Sequence, residues 1–409
     1  MNVMDDVIII GAGPAGGNTA LSLAKMGRSV RIIEAGTDPG NKVCTGIIGT
    51  ECVVKYPPDP EVIYREPISA TVTTANGKEY HFETEFPQAL VVDRTRYVAS
   101  FSKKAKDLGA KVNLGERVLS INVRDDCVEV ISTKGTWYAR LLVIASGFGT
   151  SLLSQVGIDQ NYAYMTGSQI EVFCTDLESV KLYLDSVNTP GFFSWVTPTT
   201  EKQGLVGVIA DKNSKQKLEN FVSHLMKDGI IEETCGNVRS WGIPLHPIDR
   251  TYAKRVLVVG DAAGQIKPIT GGGIYYALLC GDLAANVVDK CLGSNDLSSN
   301  ALAEYETLWK NHIGKEIKSA YVIRRFVEKI PSTIQSQLVR AAKSHRVIEN
   351  LIVNKGMFDE HTLIFKAMFS HPAISWVFRK HNRNTKLIQD FDELGDDTFQ
   401  DTENELVTY

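Results

Sequence analysis

The first 34 positions alternate between dense apolar runs and glycines in a pattern that predicts three elements. Val7 to Ile10 is an unbroken apolar run and predicts a strand buried on both faces. It breaks into Gly11, Gly13 and Gly16, after which residues 18–26 carry helical spacing closed by Gly27. Ser29 to Ile33 predicts a second strand, ending at Glu34. LLVIASG at 141–147 and RVLVV at 255–259 predict further buried strands. Ile274 to Ala285 is long enough for a helix of about three turns. The middle of the chain changes character: SQIEVFCT, GFFSWVTPT and GLVGVIAD cluster or alternate apolar residues between turn signals, predicting an antiparallel sheet. ISATVTTANGKEYHFET adds a strand–Asn-Gly–strand hairpin. Residues 299–388 turn helical, and 389–409 form an acidic stretch poor in core formers, expected as a solvated tail.

Composition narrows the class without changing the elements. The chain has 409 residues, 43% of them hydrophobic and 22% charged, ordinary for a protein with a sizeable core. A net charge of −4 and a pI near 6.1 exclude a nucleic-acid binder working by bulk electrostatics. The opening MNVMDD is no signal peptide, and no apolar stretch reaches the roughly 18 residues of a membrane span. Cysteines 44, 52, 127, 174, 235, 280 and 291 are dispersed, without a CxxC pair or zinc-type cluster, so no metal site is expected. An odd, scattered set fits a reducing cytosol and a cytoplasmic protein.

Two segments carry chemistry. Strand, GxGxxG turn, helix, strand and the acid Glu34 together make a dinucleotide-binding fingerprint. In it Gly11 makes the turn, Gly13 lets backbone meet a pyrophosphate, Gly16 packs helix on strand, and Glu34 accepts from ribose hydroxyls. Residues 260–285, GDAAGQIKPITGGGIYYALLCGDLAA, place Asp261 at the carboxyl end of a strand and three glycines, Gly271, Gly272 and Gly273, before a helix start. Asp261 suits a ribityl hydroxyl, and the helix start suits the pyrophosphate or the flavin ring. A long cofactor that meets both ends of the chain points to FAD rather than NAD.

GAGPAG, VVDRTRYVASFSKKAKDLGA at 91–110, LLVIASGFG and GDAAG together resemble FAD-dependent enzymes of the para-hydroxybenzoate hydroxylase fold. Within them, residues 260–285 are most similar to the geranylgeranyl reductase family, which saturates double bonds of prenyl chains. The resemblance covers roughly residues 5–290 and thins beyond 300. It implies an α/β architecture: a Rossmann-like FAD-binding domain at 1–65, 90–155 and 250–298, a β-rich substrate domain at 66–89 and 156–249, and a C-terminal helical region at 299–388. It implies FAD contacts at Gly11, Gly13, Ala15, Gly16, Glu34, Arg94, Asp261 and Gly271 to Gly273. Asp93-Arg94 with Tyr97 matches a family motif opening a helix through Ser100 to Leu108; read on its own, Asp93 is a helix cap and Arg94 a solvated cation. Lys42-Val43-Cys44 matches the family's Lys-x-Cys-Gly, with Thr45 in place of the glycine, and puts Cys44 by the flavin ring as the candidate catalytic residue. Phe193 and Trp195 resemble the aromatic segment facing substrate. Ser146 departs from the usual acid, and His246 carries no role.

The implied activity is hydride transfer from reduced FAD to an alkene of a prenyl lipid, with the electron donor open between NADPH, ferredoxin and a quinol. A flavin monooxygenase acting on an aromatic or polyketide is the alternative, followed by a flavin halogenase; Pro268, Thr270 and three glycines side with the reductases. TLIFKAMFSHPAISWVFRKHNRN suits either a helix on a membrane surface, giving peripheral contact, or an ordinary capping helix.

Overall fold

The computed structural model describes residues 4–161, 163–174, 177–185, 189–350 and 361–381. The acidic stretch 389–409 lies outside them.

The apolar run at the start becomes strand Asp5–Ile10, whose Val7, Ile8, Ile9 and Ile10 are all buried. It sits at the centre of a sheet of eight described strands. Lys111–Asn113, Val30–Ile33, Asp5–Ile10, Thr136–Ile144 and Val256–Val258 run parallel in that order, with Tyr252–Ala253 antiparallel at the edge. Both faces are covered, which is why the strands read as continuous apolar runs. Val7, Ile9, Ile32, Leu141 and Val143 pack under helices Pro14–Lys25, Arg94–Asp107 and Ile274–Ser294. Ile8, Ile10, Leu142 and Ile144 pack on the antiparallel strands Val118–Val123 and Val128–Ser132 and on Leu152 and Leu153. The first helix begins at Pro14, earlier than residue 18, because proline is favoured at a first helical position and Gly16 and Gly17 are held by tight packing rather than propensity.

The second sheet has seven described strands in the order Glu233–Pro244, Tyr164–Phe173, Gln203–Ala210, Ser194–Pro198, Val180–Tyr183, Ser69–Thr73, Glu79–Glu83. It is antiparallel except where Val180–Tyr183 runs parallel to Ser69–Thr73. Ile170, Val172, Val196, Val206 and Val208 on one face bury helix Ser214–Lys227 through Leu218, Val222 and Leu225. The opposite face presents Met165, Leu182, Trp195, Ile209 and Ile243.

Helices Ser299–Trp309, Lys315–Val327 and Ser332–Ser344 follow. The stretch weighed as a membrane-surface helix is two helices, His361–Ser370 and Pro372–His381, and Phe369, Ile374, Val377 and Phe378 pack inward on Ile323, Phe326, Ile334 and Leu338. These four side chains are used inside the molecule, while Leu363 and Ile364 are half-buried and Trp376 is exposed. Among the described residues no helix is long and apolar enough to cross a membrane.

Candidate cofactor and substrate site

A cavity of about 810 Å³ opens where the carboxyl ends of the parallel strands meet the apolar face of the second sheet. Gly11, Glu34, Ala145, Ser146, Val259 and Gly260 line it, each just beyond the end of a parallel strand, where ligands bind in open sheets of this kind.

The glycine turn has two separate tasks. Gly11 has φ +102°, and a Cβ there would lie 2.3 Å from the Ala145 carbonyl oxygen, so only glycine lets the turn close on the neighbouring strand. A Cβ on Gly13 would meet nothing within 4 Å, because its missing side chain faces the open cavity. Gly16 does not line the cavity; its Cα packs against the Gly11 carbonyl. Helices Pro14–Lys25 and Ile274–Ser294 both start without a side-chain cap and without an acid in the first turn, and both starts line the cavity. Their unpaired N–H groups and positive dipole ends converge there. The Glu34 carboxylate is fixed by backbone N–H donors, Ala12 at 2.7 Å and Gly36 at 2.7 Å.

Asp93 caps its helix, accepting from the Arg96 N–H at 3.0 Å, but Arg94 is not solvated. Arg94 is 9% exposed and lines the cavity, and its Nε and Nη1 have no hydrogen-bond partner among the described residues. Ser146 Oγ and the indole Nε1 of Trp195 and Trp241 are buried and unpartnered in the same way. Buried donors of this kind are costly unless a ligand receives them. The open space over Gly13, the paired helix starts and the unpartnered Arg94 fit the pyrophosphate and polar edges of FAD.

Asp261 pairs with Lys42, whose Nζ also lies 4.9 Å from the Trp241 ring centroid. Cys44, part-exposed, lines the cavity, and its carbonyl accepts from Gln169 Nε2 at 3.2 Å, tying the 40s loop to the second sheet. Cys52 also lines it, backed by the Tyr97 hydroxyl, which donates to the Tyr56 carbonyl at 2.7 Å. Burial pushes the Tyr97 phenol far up, and burial with Asp282 does the same for Tyr56, so both are neutral donors rather than acids. All seven cysteines are free. On the far wall Trp195 lies flat over Gly207, where a Cβ would sit 2.1 Å from the indole, and Phe193 meets it edge-on at 6.2 Å. His246 is turned elsewhere, bonded to the Ala163 N–H at 3.1 Å.

The structure therefore brings Gly11, Gly13, Ala15, Glu34, Cys44, Arg94, Asp261, Gly271, Gly272, Gly273, Phe193 and Trp195 to one cavity. Sequence reasoning passed over Trp241, Gln169 and Glu349. Trp241 sits in a strand of polar alternation, and the other two gain meaning only from residues far away in the chain.

Comparison with known proteins follows the same lines. A model of the family described as pyridine nucleotide-disulphide oxidoreductase matches residues 5–176. The chain is 28% identical over 347 residues to a digeranylgeranylglycerophospholipid reductase of Methanocaldococcus jannaschii, covering 81% of this chain and 88% of that one. Among solved structures, a geranylgeranyl bacteriochlorophyll reductase-like protein of Thermoplasma acidophilum superposes with TM-score 0.80 at 21% identity, over 93% of this chain and 99% of that one. A p-nitrophenol 4-monooxygenase of Pseudomonas putida gives TM-score 0.70 at 15% identity, over 90% and 99%. At such identities the structural likenesses speak for the fold.

Proposed function

We propose that the chain is an FAD-dependent reductase of the geranylgeranyl reductase type and that it saturates C=C bonds of prenyl chains carried by membrane-type lipids, a reading supported by its likeness to a digeranylgeranylglycerophospholipid reductase. The observation that carries this reading is the continuity of the cavity. It runs without a break from the glycine cradle to an apolar wall built from Trp195, Ile209, Leu182, Val180 and Phe82.

Reduced FAD, when bound, supplies the hydride that an alkene carbon accepts. The chain's own residues do the rest. Gly13 and the two helix starts receive the pyrophosphate, Glu34 the ribose, and Arg94 offers its two unpartnered donors to the cofactor. Lys42 neutralises Asp261 and lies beside the Trp241 ring. An isolated alkene is a poor hydride acceptor, so the wall must hold it in one orientation and keep water out. Trp195, whose ring lies against the Gly207 backbone and faces the cavity, suits that task. The thiol of Cys44 is the group we assign to the ring end of the cavity.

The test is anaerobic. The purified holoprotein is reduced with dithionite and mixed with a geranylgeranyl lipid, and flavin absorbance and lipid mass are followed together. Reoxidation coupled to a gain of two hydrogens per alkene is expected. A flavin that stays reduced with every prenyl substrate, yet hydroxylates an aromatic in air, would replace the reductase with a monooxygenase. Running the same assay from NADPH, ferredoxin and a quinol identifies the electron donor.

A further inference from the structure

The cavity crosses the whole second sheet, from Trp241 on its first strand to Phe82 on its seventh. Six strand spacings amount to roughly 29 Å. At the Phe82 edge the lining is Pro67, Ile68, Ser69, Ala70, Thr84, Ile348 and a single carboxylate, Glu349. The other charged lining residues lie in segments 34–42, 94–117 and 261–267, around the glycine cradle.

Glu349 is 4% exposed. Its Oε1 accepts from Lys343 Nζ at 2.7 Å, and that ammonium is held from behind by the Phe82 ring, 5.3 Å from its centroid. Its Oε2 is buried and has no hydrogen-bond partner among the described residues. A buried carboxylate oxygen without a donor is costly unless a ligand supplies one.

We propose that Glu349 forms a polar subsite at the far end of the prenyl cavity and accepts a hydrogen bond from a hydroxyl on the substrate's polar end. The chain would then take a prenyl compound ending in a free alcohol in preference to its phosphate ester. A phosphate brings negative charge against Glu349, and the neighbouring cation, Lys343, is already committed to that carboxylate. The proposal rests on the prenyl-reductase reading for the identity of the chain in the cavity. The hydroxyl can come from a free prenyl alcohol or from the glycerol of a diether lipid, and both enter the test.

Binding is measured on the oxidised holoprotein, by perturbation of the flavin absorbance, and turnover on the reduced holoprotein. The probes are geranylgeraniol and its monophosphate, and digeranylgeranylglycerol and its phosphate. Wild type is expected to bind at least one alcohol tenfold or more tightly than the matching phosphate, and the better alcohol identifies the source. Glu349→Leu should weaken that alcohol roughly tenfold or more, the loss of a hydrogen bond to a charged acceptor. The near-isosteric Glu349→Gln should bring the alcohol and phosphate constants together, which a merely structural role would not do. Equal binding of alcohol and phosphate by wild type, or an unchanged ratio in a flavin-loaded Glu349→Gln, overturns the subsite. Absence of turnover with every probe, alongside an intact alcohol preference, overturns the reductase and leaves the subsite standing.

Discussion

Arg94 separates a ligand-binding role from a structural one, because the two predict opposite effects on the protein without cofactor. The residue is 9% exposed, and its Nε and Nη1 have no partners among the described residues. If the cofactor receives both donors, each is a hydrogen bond to or from a charged group, contributing about 1.5–3 kcal/mol. Taking the low end twice gives ~3 kcal/mol, a rise in FAD Kd of roughly 100-fold for Arg94→Met. Methionine keeps the side-chain length and is a good helix former for the first position of Arg94–Asp107. In the apo-protein the same substitution removes a buried, unpaired charge, so stability should hold or rise by about 1–3 kcal/mol. For a chain of 409 residues that is a Tm gain of about 1 °C per kcal/mol. Flavin-fluorescence titration gives Kd, and thermal melts with and without FAD give both stabilities. The reasoning is refuted if apo Arg94→Met loses several degrees while its FAD Kd stays within twofold of wild type.

Two glycines in one turn should fail differently. Gly13→Val meets open cavity and is expected to fold normally but purify without flavin, whereas Gly16→Val drives a Cβ to 2.0 Å from the Gly11 carbonyl and should cost more than about 3 kcal/mol, read as lost soluble yield or Tm. Glu116 supplies a pH-dependent term. Burial raises its pKa, but hydrogen bonds from Ser132, Asn113 and Trp137 outweigh that and leave it below the usual carboxylate range. A depressed carboxylate stabilises above its unfolded pKa, and that contribution is lost as pH falls through the folded value. The stability gap between wild type and Glu116→Gln in urea melts should therefore be widest near neutral pH and close below about pH 4; a gap independent of pH would count against it.

Much of the first sheet was readable because strands buried on both faces leave unbroken apolar runs, as Val7 to Ile10 does. The limits of the helices were less so. Ile274–Ser294 continues past Ala285 because Val287, Val288, Cys291 and Leu292 still face the core, a pattern that the small residues before them obscure. The hairpin at Asn76-Gly77 exists, but its connection runs from Thr74 to Lys78, with the Asn76 side chain accepting from Thr74 Oγ1 at 2.7 Å. The parallel pairing of Val180–Tyr183 with Ser69–Thr73 leaves no local trace, since nothing in either strand names a partner a hundred residues away. In the site, the glycine turns and Glu34 announced themselves through spacing. The Lys42–Asp261 pair, the Gln169 bond to the Cys44 carbonyl and the lone carboxylate of Glu349 could not, because each is made by segments that meet only in the fold.

That long-range assembly bears on how the protein is made. Gly260 packs on Ala15, and Val256–Val258 is laid beside Thr136–Ile144, so the cradle stays half-built until the later segment arrives. On a ribosome adding roughly 5–20 residues per second, Gly11 to Glu34 emerges some 10–50 s before the glycines at 271–273. Flavin capture is consequently a late event of biosynthesis, and during that interval the parallel strands lack an edge partner and expose apolar surface. Soluble yield should then follow the supply of flavin and of chaperones at the time of synthesis, as well as the stability of the finished fold.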